Sequence, residues 1–257
     1  SEMCIRDRGN IPTSDGIIHG AGDELYNNAS EFYRAENGQP IGYFWGYKTA
    51  GIFQNTQEID EWRAAGNGIL QSNVQPGDVR FVDRNHDGQI NDKDKVNLGN
   101  GTPDFTLGLN LGFVYKGFDF SIVANGAFGQ QIVQSYRNHT RPTPNYTTAI
   151  LDRWHGEGTS NRIPRVTDSN INYQFSDLFI QNGDYLRLST LTLGYDFAKL
   201  FKGKAVSQAR LYFQVQNLFT ITGYDGMDPE IGFGSSNNSW VSGLDYGYYP
   251  RPRTVLV

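Results

Sequence analysis

Sulfur is scarce in this sequence. A single cysteine, Cys4, allows no intrachain disulfide, and two methionines leave aromatic and aliphatic side chains to build any core. No apolar run reaches the roughly 18 residues that a transmembrane helix needs. A membrane barrel stays open, because its strands need only about 9 to 11 alternating residues. Basic residues form no cluster and the net charge is -5, so there is no footprint for a phosphate backbone, and nucleic acid is not an expected partner. Neither G-x-S-x-G nor H-E-x-x-H occurs, and the four histidines (19, 86, 139 and 155) lack metal-ligand spacing. Asp152, His155 and Glu157 flank Trp154 in a polar stretch and read as solvated side chains, so no enzyme is expected.

What is present favours strands. Tyrosine (15) and phenylalanine (16) far outnumber methionine, and 30 glycines punctuate the chain, a balance of β-prone residues and turns. The expected class is all-β, in a chain long enough for one large or two ordinary domains and, at 38% hydrophobic, too apolar for disorder. Residues 1–8 show neither signal-peptide organisation nor strand alternation and read as a non-native leader, with the authentic sequence starting near Gly9. Residues 9–40 are polar and broken by glycine, hence mostly loop. An aromatic, glycine-rich run follows at 41–53, and 56–65 has the pattern of a short helix with Thr56 as its cap.

An oxygen-rich loop comes next. Asp83, Asn85, Asp87, Gly88 and Asp94 occupy positions 1, 3, 5, 6 and 12 of the template D-x-[DN]-x-[DN]-G-x5-E, and Gln89 would offer its backbone carbonyl. Calcium is the ion implied. It takes about six to eight oxygens in flexible geometry, so side-chain oxygens two residues apart on a tight turn can converge on it. Position 12 is Asp94 rather than Glu, one methylene shorter and a poorer bidentate ligand, so modest affinity is expected. The preceding residues 79–82 read as a strand. The loop therefore lacks an EF-hand helix pair and should act as a structural staple rather than a sensor. An Asx-rich surface turn that binds nothing is the competing reading.

Alternation is strictest from Phe105. Leu107, Leu109, Leu111, Phe113 and Tyr115 continue the apolar phase, while Thr106, Gly108, Asn110 and Gly112 between them are small or polar. Lys116-Gly117 has the form of a two-residue hairpin turn, and Phe118, Phe120, Ile122 and Ala124 resume the pattern. Strand pattern returns at 178–197. There Leu186 and Leu188 occupy one phase and Leu191, Leu193, Tyr195 and Phe197 the other, so a bulge, or a change of environment, is expected near Ser189-Thr190. Leu211, Phe213, Val215 and Phe219 alternate with Gln214 and Gln216, and a last strand starts at 250–254.

Two architectures accommodate these strands: a soluble sandwich with oily faces inward, or a membrane barrel with them outward. The connections after Tyr115 and Phe197 are short, whereas those before Phe105, after Phe128 and after Thr222 are long and fall at the opposite end. Short periplasmic turns, long extracellular loops and aromatics such as Tyr115 and Phe118 at an interface make the outer-membrane pattern. The expected organisation is a leader at 1–8, an extracellular loop region at 9–104 with the cation loop at 83–94, and barrel strands with loops at 105–257, stopping before the final strand is complete.

Six ordered segments carry a resemblance. They are 41–53, containing Gly42-Tyr43-Phe44-Trp45-Gly46-Tyr47-Lys48; Pro76-Gly77-Asp78-Val79-Arg80-Phe81-Val82-Asp83; Gly99-Asn100-Gly101-Thr102-Pro103-Asp104-Phe105; Gly183-Asp184-Tyr185-Leu186-Arg187-Leu188; Gln216-Asn217-Leu218-Phe219-Thr220; and Tyr249-Pro250-Arg251-Pro252-Arg253-Thr254. From about residue 35 to its end the chain resembles the C-terminal portion of SusC/RagA-like TonB-dependent outer-membrane transporters. The resemblance implies a transmembrane antiparallel β-barrel of about 22 strands, of which this chain would supply about five or six. It also implies an outer-membrane location, a SusD-like lipoprotein lid, energy from a TonB-ExbB-ExbD complex through an N-terminal part, and import of oligosaccharides or peptides. Asp83, Asn85, Asp87, Gln89 and Asp94 match that family's calcium-loop pattern. Trp45, Trp154, Trp240 and Tyr248, on long loops, are the candidate substrate contacts, since aromatic faces stack on sugar rings. The alternative is a secreted, calcium-stabilised β-sandwich that binds glycans. Leu107, Leu109, Leu111 and Phe120 discriminate: buried in a sandwich, outward in a barrel.

Overall fold

The computed structural model describes residues 16–20, 31–134, 148–167, 170–198, 209–231 and 241–257. The leader at 1–8 and Trp240 lie outside these residues. The main element is an antiparallel five-stranded sheet, formed by β7 (Phe105–Tyr115), β8 (Phe118–Phe128), β11 (Tyr185–Asp196), β12 (Arg210–Thr222) and β14 (Thr254–Leu256). Its spatial order is β14-β12-β11-β8-β7. β7 and β8 pair without interruption from Phe105 opposite Phe128 to Tyr115 opposite Phe118. Lys116 and Gly117 both have positive φ, 49° and 94°, the primed turn whose twist matches that of the flanking strands.

Across β8, β11 and β12 the register sets apolar against apolar. Phe120 lies opposite Leu193, which lies opposite Phe213, and Ile122, Leu191 and Val215 repeat the arrangement. The phase change in β11 is a bulge, since pairing with both neighbours shifts between Leu188 and Thr190. The extra residue, Ser189, keeps Leu186 and Leu188 on the same face as Leu191, Leu193 and Tyr195. The opposite face carries Asp119, Ser121 and Asn125 of β8, Arg187 and Thr192 of β11, and Arg210, Gln214 and Thr220 of β12. One face is thus apolar and the other polar.

Among the described residues no second layer covers the apolar face. Leu107, Leu109 and Leu111 are 37%, 41% and 53% exposed, and Phe120 is half-buried, whereas a sandwich core would enclose all four. Among the described residues no helix is long and apolar enough to cross a membrane. β7 and β14 are the sheet edges, which makes the sheet an open arc of a barrel and not a closed one.

The long connections leave the sheet at the end opposite Lys116-Gly117, where Phe105, Phe128, Tyr185 and Thr222 stand. Their described parts are folded, and within 9–40 two short strands interrupt the expected loop. β1 (Ile17–His19), β2 (Tyr33–Glu36), β3 (Tyr43–Gly46) and β6 (Val96–Asn97) form one sheet in that order, and β4 (Thr49–Ile52) pairs with β5 (Val79–Phe81). A third sheet joins β9 (Gln131–Gln134) to β10 (Ile180–Asn182) and, in parallel, to β13 (Leu244–Asp245). Phe32, Tyr33, Phe44, Val133, Phe175 and Leu244, from separate connections, share one buried core, and Tyr47, Val79, Phe81 and Ile90 form a second.

Three boundaries differ from expectation. The helix α1 (Thr56–Ala64) is capped by Asn55, not Thr56, because the Asn55 side chain accepts the Glu58 N–H. The pattern at 178–197 is two strands, β10 and β11, separated at Gly183-Asp184. The last strand begins at Thr254, since Pro250 and Pro252 lack the N–H that a ladder needs.

Candidate functional site

β5 leads into the oxygen-rich loop, and Ile90 anchors the loop in the second core. Asp83 is only 1% exposed. Its Oδ2 accepts the N–H groups of Gly88 and Gly68, both at 2.9 Å, while its Oδ1 is buried without a hydrogen-bond partner. A buried carboxylate oxygen in that state is costly unless a cation takes it. Asp94 is also buried and accepts the Arg84 N–H at 2.8 Å through Oδ1 and the Asn91 N–H at 2.8 Å through Oδ2. Asn85 and Asp87 are exposed. The Asn85 amide donates to Asp87 Oδ2 at 2.8 Å, and Asp87 Oδ1 accepts the Gln89 N–H at 2.9 Å. These two bonds, the Asn85 one first, hold the Asp87 carboxyl below its ordinary 3.8, so it is ionised at neutral pH.

Among the described residues no three Asp, Glu, His or Cys side chains converge on one point. The donor set offered by Asp83, Asn85, Asp87, Asp94 and the Gln89 carbonyl is nonetheless all oxygen, which suits calcium, and the partnerless Asp83 Oδ1 is an atom such a cation could take. Tyr47 packs beside the loop, and burial, with Asp92 and Asp94 adding to it, pushes its hydroxyl up to about 12. The loop also holds the chain after α1. A Cβ on Gly68 would fall 2.7 Å from the Gln89 backbone, so only glycine allows this close approach, and the Trp62 indole donates to the Gly68 carbonyl at 3.1 Å.

The aromatic candidates brace the connections. The Arg34 guanidinium lies 4.0 Å above the Trp45 ring, so that face is occupied, and Tyr43 meets the ring edge-on. Glu31 binds Arg34 in turn. Burial alone would raise the Glu31 carboxyl, but hydrogen bonds from Arg34 and His19 outweigh it and bring it below 4.5. The Trp154 indole donates to Gln54 Oε1 at 3.2 Å, and its ring lies against Gly77. Tyr248 is exposed, and its N–H donates to Asp245. His155 bonds the Arg153 carbonyl, Glu157 accepts from Asn55, and Asp152 is exposed, an arrangement with no proton relay.

Sequence reasoning missed a buried ion cluster on the polar face. Arg187, 3% exposed, donates through Nε to Thr220 Oγ1 at 3.0 Å and through Nη2 to Asp228 Oδ1 at 2.5 Å. Its Nη1 lies 3.1 Å from Glu230 Oε2, in ion-pair range without hydrogen-bond alignment. Glu230 also meets Arg251 at 2.8 Å, and the Arg251 N–H reaches Asp228 Oδ2 at 3.3 Å. Both ends of the connection from β12 to β14 therefore close on one arginine of the wall. The only signal in the sequence was a charge inside the run Leu186-Arg187-Leu188.

Comparison with known proteins places these features. No family model matches the chain. The chain is 33% identical over 259 aligned residues to TonB-dependent receptor P3 of Formosa agariphila, covering 96% of this chain and 24% of that protein. To TonB-dependent receptor SusC of Bacteroides thetaiotaomicron it is 30% identical over 191 residues, 74% of this chain and 18% of that protein. The chain thus spans about a quarter of the length of the curated relatives it matches. Among solved structures, the RagAB peptide importer in its open-open state aligns with a TM-score of 0.62 at 18% identity, over 95% of this chain and 24% of that one. The closed-closed state gives 0.63 at 17% identity. At these identities the likeness is one of fold.

Proposed function

This chain belongs to the SusC/RagA-like TonB-dependent receptors, which are β-barrel proteins of the outer membrane, and from that premise we propose that it supplies barrel wall and outer cap to an importer of oligosaccharides or peptides. One observation carries the reading: a sheet with one exposed apolar face and one polar face, and with the described parts of its long connections packed together at one end. Lipid satisfies the first face and a water-filled conduit the second. The cap is where a SusD-like lipoprotein would dock, and TonB-ExbB-ExbD would supply the energy. The relatives are receptors and transporters, and this chain is not an enzyme.

Calcium belongs to the same proposal. Asp83, Asn85, Asp87, Asp94 and the Gln89 carbonyl would hold it, and its two positive charges would offset most of the charge of three carboxylates next to β5. Asp83 also ties the chain just after that strand to Gly68.

Uptake of labelled oligosaccharides and of labelled peptides by cells carrying the whole protein, with and without TonB, tests the import reading. Uptake of one class should vanish without TonB. Uptake of neither class, or uptake indifferent to TonB, sinks it.

A further inference from the structure

The residues after Asp152 fold back against the start of α1 and enclose a recess of about 220 Å³, with Ile52, Gln54, Glu58, Arg80, Ser160 and Asn161 among its walls. Drug-sized ligands occupy pockets of about 300–1,000 Å³, so this one suits a single ring or a single side chain. The walls are braced by hydrogen bonds. Gln54 spends its whole amide on bracing: Nε2 donates to the carbonyls of Ile52 and Ser160, and Oε1 accepts from Trp154 and Gly158. Arg80 donates through Nε and Nη2 to the Ala50 carbonyl at 3.1 and 2.6 Å, and its guanidinium stacks over Trp62 and Phe53 at 5.2 and 5.7 Å.

Several polar atoms remain unspent. Asn161 uses Oδ1 to accept the Ile52 N–H at 2.9 Å, which leaves its Nδ2 as a donor. Glu58 uses Oε2 to accept the Gln54 N–H, which leaves Oε1 as an acceptor. Arg80 Nη1 stands 3.7 Å from Glu58 Oε2, too far for a hydrogen bond. Charge decides what fits among them. Glu58 and Arg80, 3.7 Å apart, already offset each other, so a group of one net charge finds no uncompensated partner there. A hydroxyl both donates and accepts, and can give its proton to Glu58 while accepting from Arg80 or Asn161.

We propose that this recess is a subsite for one ring of a neutral sugar, held through adjacent hydroxyls by Glu58, Arg80 and Asn161. The assignment rests on the import reading and narrows it to the oligosaccharide branch. Trp154, a candidate stacking platform in the sequence, acts here by fixing Gln54.

The test uses the whole protein purified in detergent and probed with glucose, galactose, mannose and N-acetylglucosamine by saturation-transfer NMR, with diglycine as the zwitterionic competitor. At least one sugar should bind. Glu58→Ala and Asn161→Ala should each weaken it about tenfold, the worth of one good hydrogen bond to these groups. Unchanged circular dichroism of both variants would show that the fold survives. Sugar binding insensitive to both substitutions overturns the assignment, as does binding of diglycine alone or of no probe. TonB-dependent uptake is scored separately, so an importer with a silent recess would sink the subsite and leave the import reading standing.

Discussion

Replacing Arg187 removes the cation from between Asp228 and Glu230 while Arg187→Met keeps most of the aliphatic volume, so the cost isolates charge compensation from packing. Breaking a buried ion pair from one side typically costs about 3–5 kcal/mol, because the remaining charge is stranded. Here relief is available. Asp228 keeps the N–H groups of Glu230 at 2.9 Å and Arg251 at 3.3 Å, and Glu230 keeps Arg251 at 2.8 Å. The lower end, about 3 kcal/mol, is therefore expected. Neutralising the acids as well, in R187M/D228N/E230Q, should return the protein to within about 1.5 kcal/mol of the parent, since no buried charge is then left unpaired. Urea titration of the whole protein in detergent micelles, followed by tryptophan fluorescence, gives both numbers, and limited proteolysis reports whether the connection from β12 to β14 loosens. A single variant within about 0.5 kcal/mol of the parent, the level of a surface pair, would refute the compensation argument. So would a triple variant less stable than the single one.

Other expectations follow from the same coordinates. Asp83→Asn should weaken calcium binding about tenfold or more from a parent Kd expected near 10⁻⁴–10⁻³ M, as calorimetry would measure, and equal affinities would mean that Asp83 Oδ1 is not a ligand. Deleting Ser189 should leave Leu188 and Leu191 two residues apart, as in an unbulged strand, so Leu191, Leu193 and Tyr195 keep the apolar face and the heat-modifiable gel band of outer-membrane assembly persists; loss of that band would show that the bulge is needed for more than the phase. Glu31 has a folded value below its ordinary 4.5, so the stability it contributes is complete above that pH and is lost as pH falls through the folded value. Trp45 fluorescence should therefore change in acid as pH falls below 4.5 in the parent, and Glu31→Gln should abolish that acid step.

The barrel strands were legible because their two environments differ in every second residue. Leu107, Leu109 and Leu111 meet one medium and Gly108 and Asn110 another, and that contrast persists over the 11 residues of β7. Even the bulge announced itself, because a change of phase between Leu188 and Leu191 has few other causes. The oxygen loop stood out for a different reason: its candidate donors are local, and a 12-residue template spans them. What the template could not reveal is that Asp83 also holds Gly68, fifteen positions earlier, and keeps one oxygen buried without a partner.

The cap was opaque for the converse reason. Its strands run two to four residues, too short for a period of two to stand out, and its main core draws on segments as distant as Phe32, Val133, Phe175 and Leu244. Side chains rather than ladders then join these segments. Asp78 is buried, takes hydrogen bonds from Arg165 at 2.7 Å and Asn172 at 2.8 Å, and so pins the connection after β9 to the start of β5. Asn172 completes the joint by accepting the Val79 N–H and the Gln71 amide, both at 3.0 Å. Each member satisfies a buried group that would otherwise be stranded, so the joint specifies which segments meet more than it adds net stability. Such partners lie some 90 residues apart and share no spacing rule. A polar stretch of this kind reads as loop in sequence and folds as a body in space.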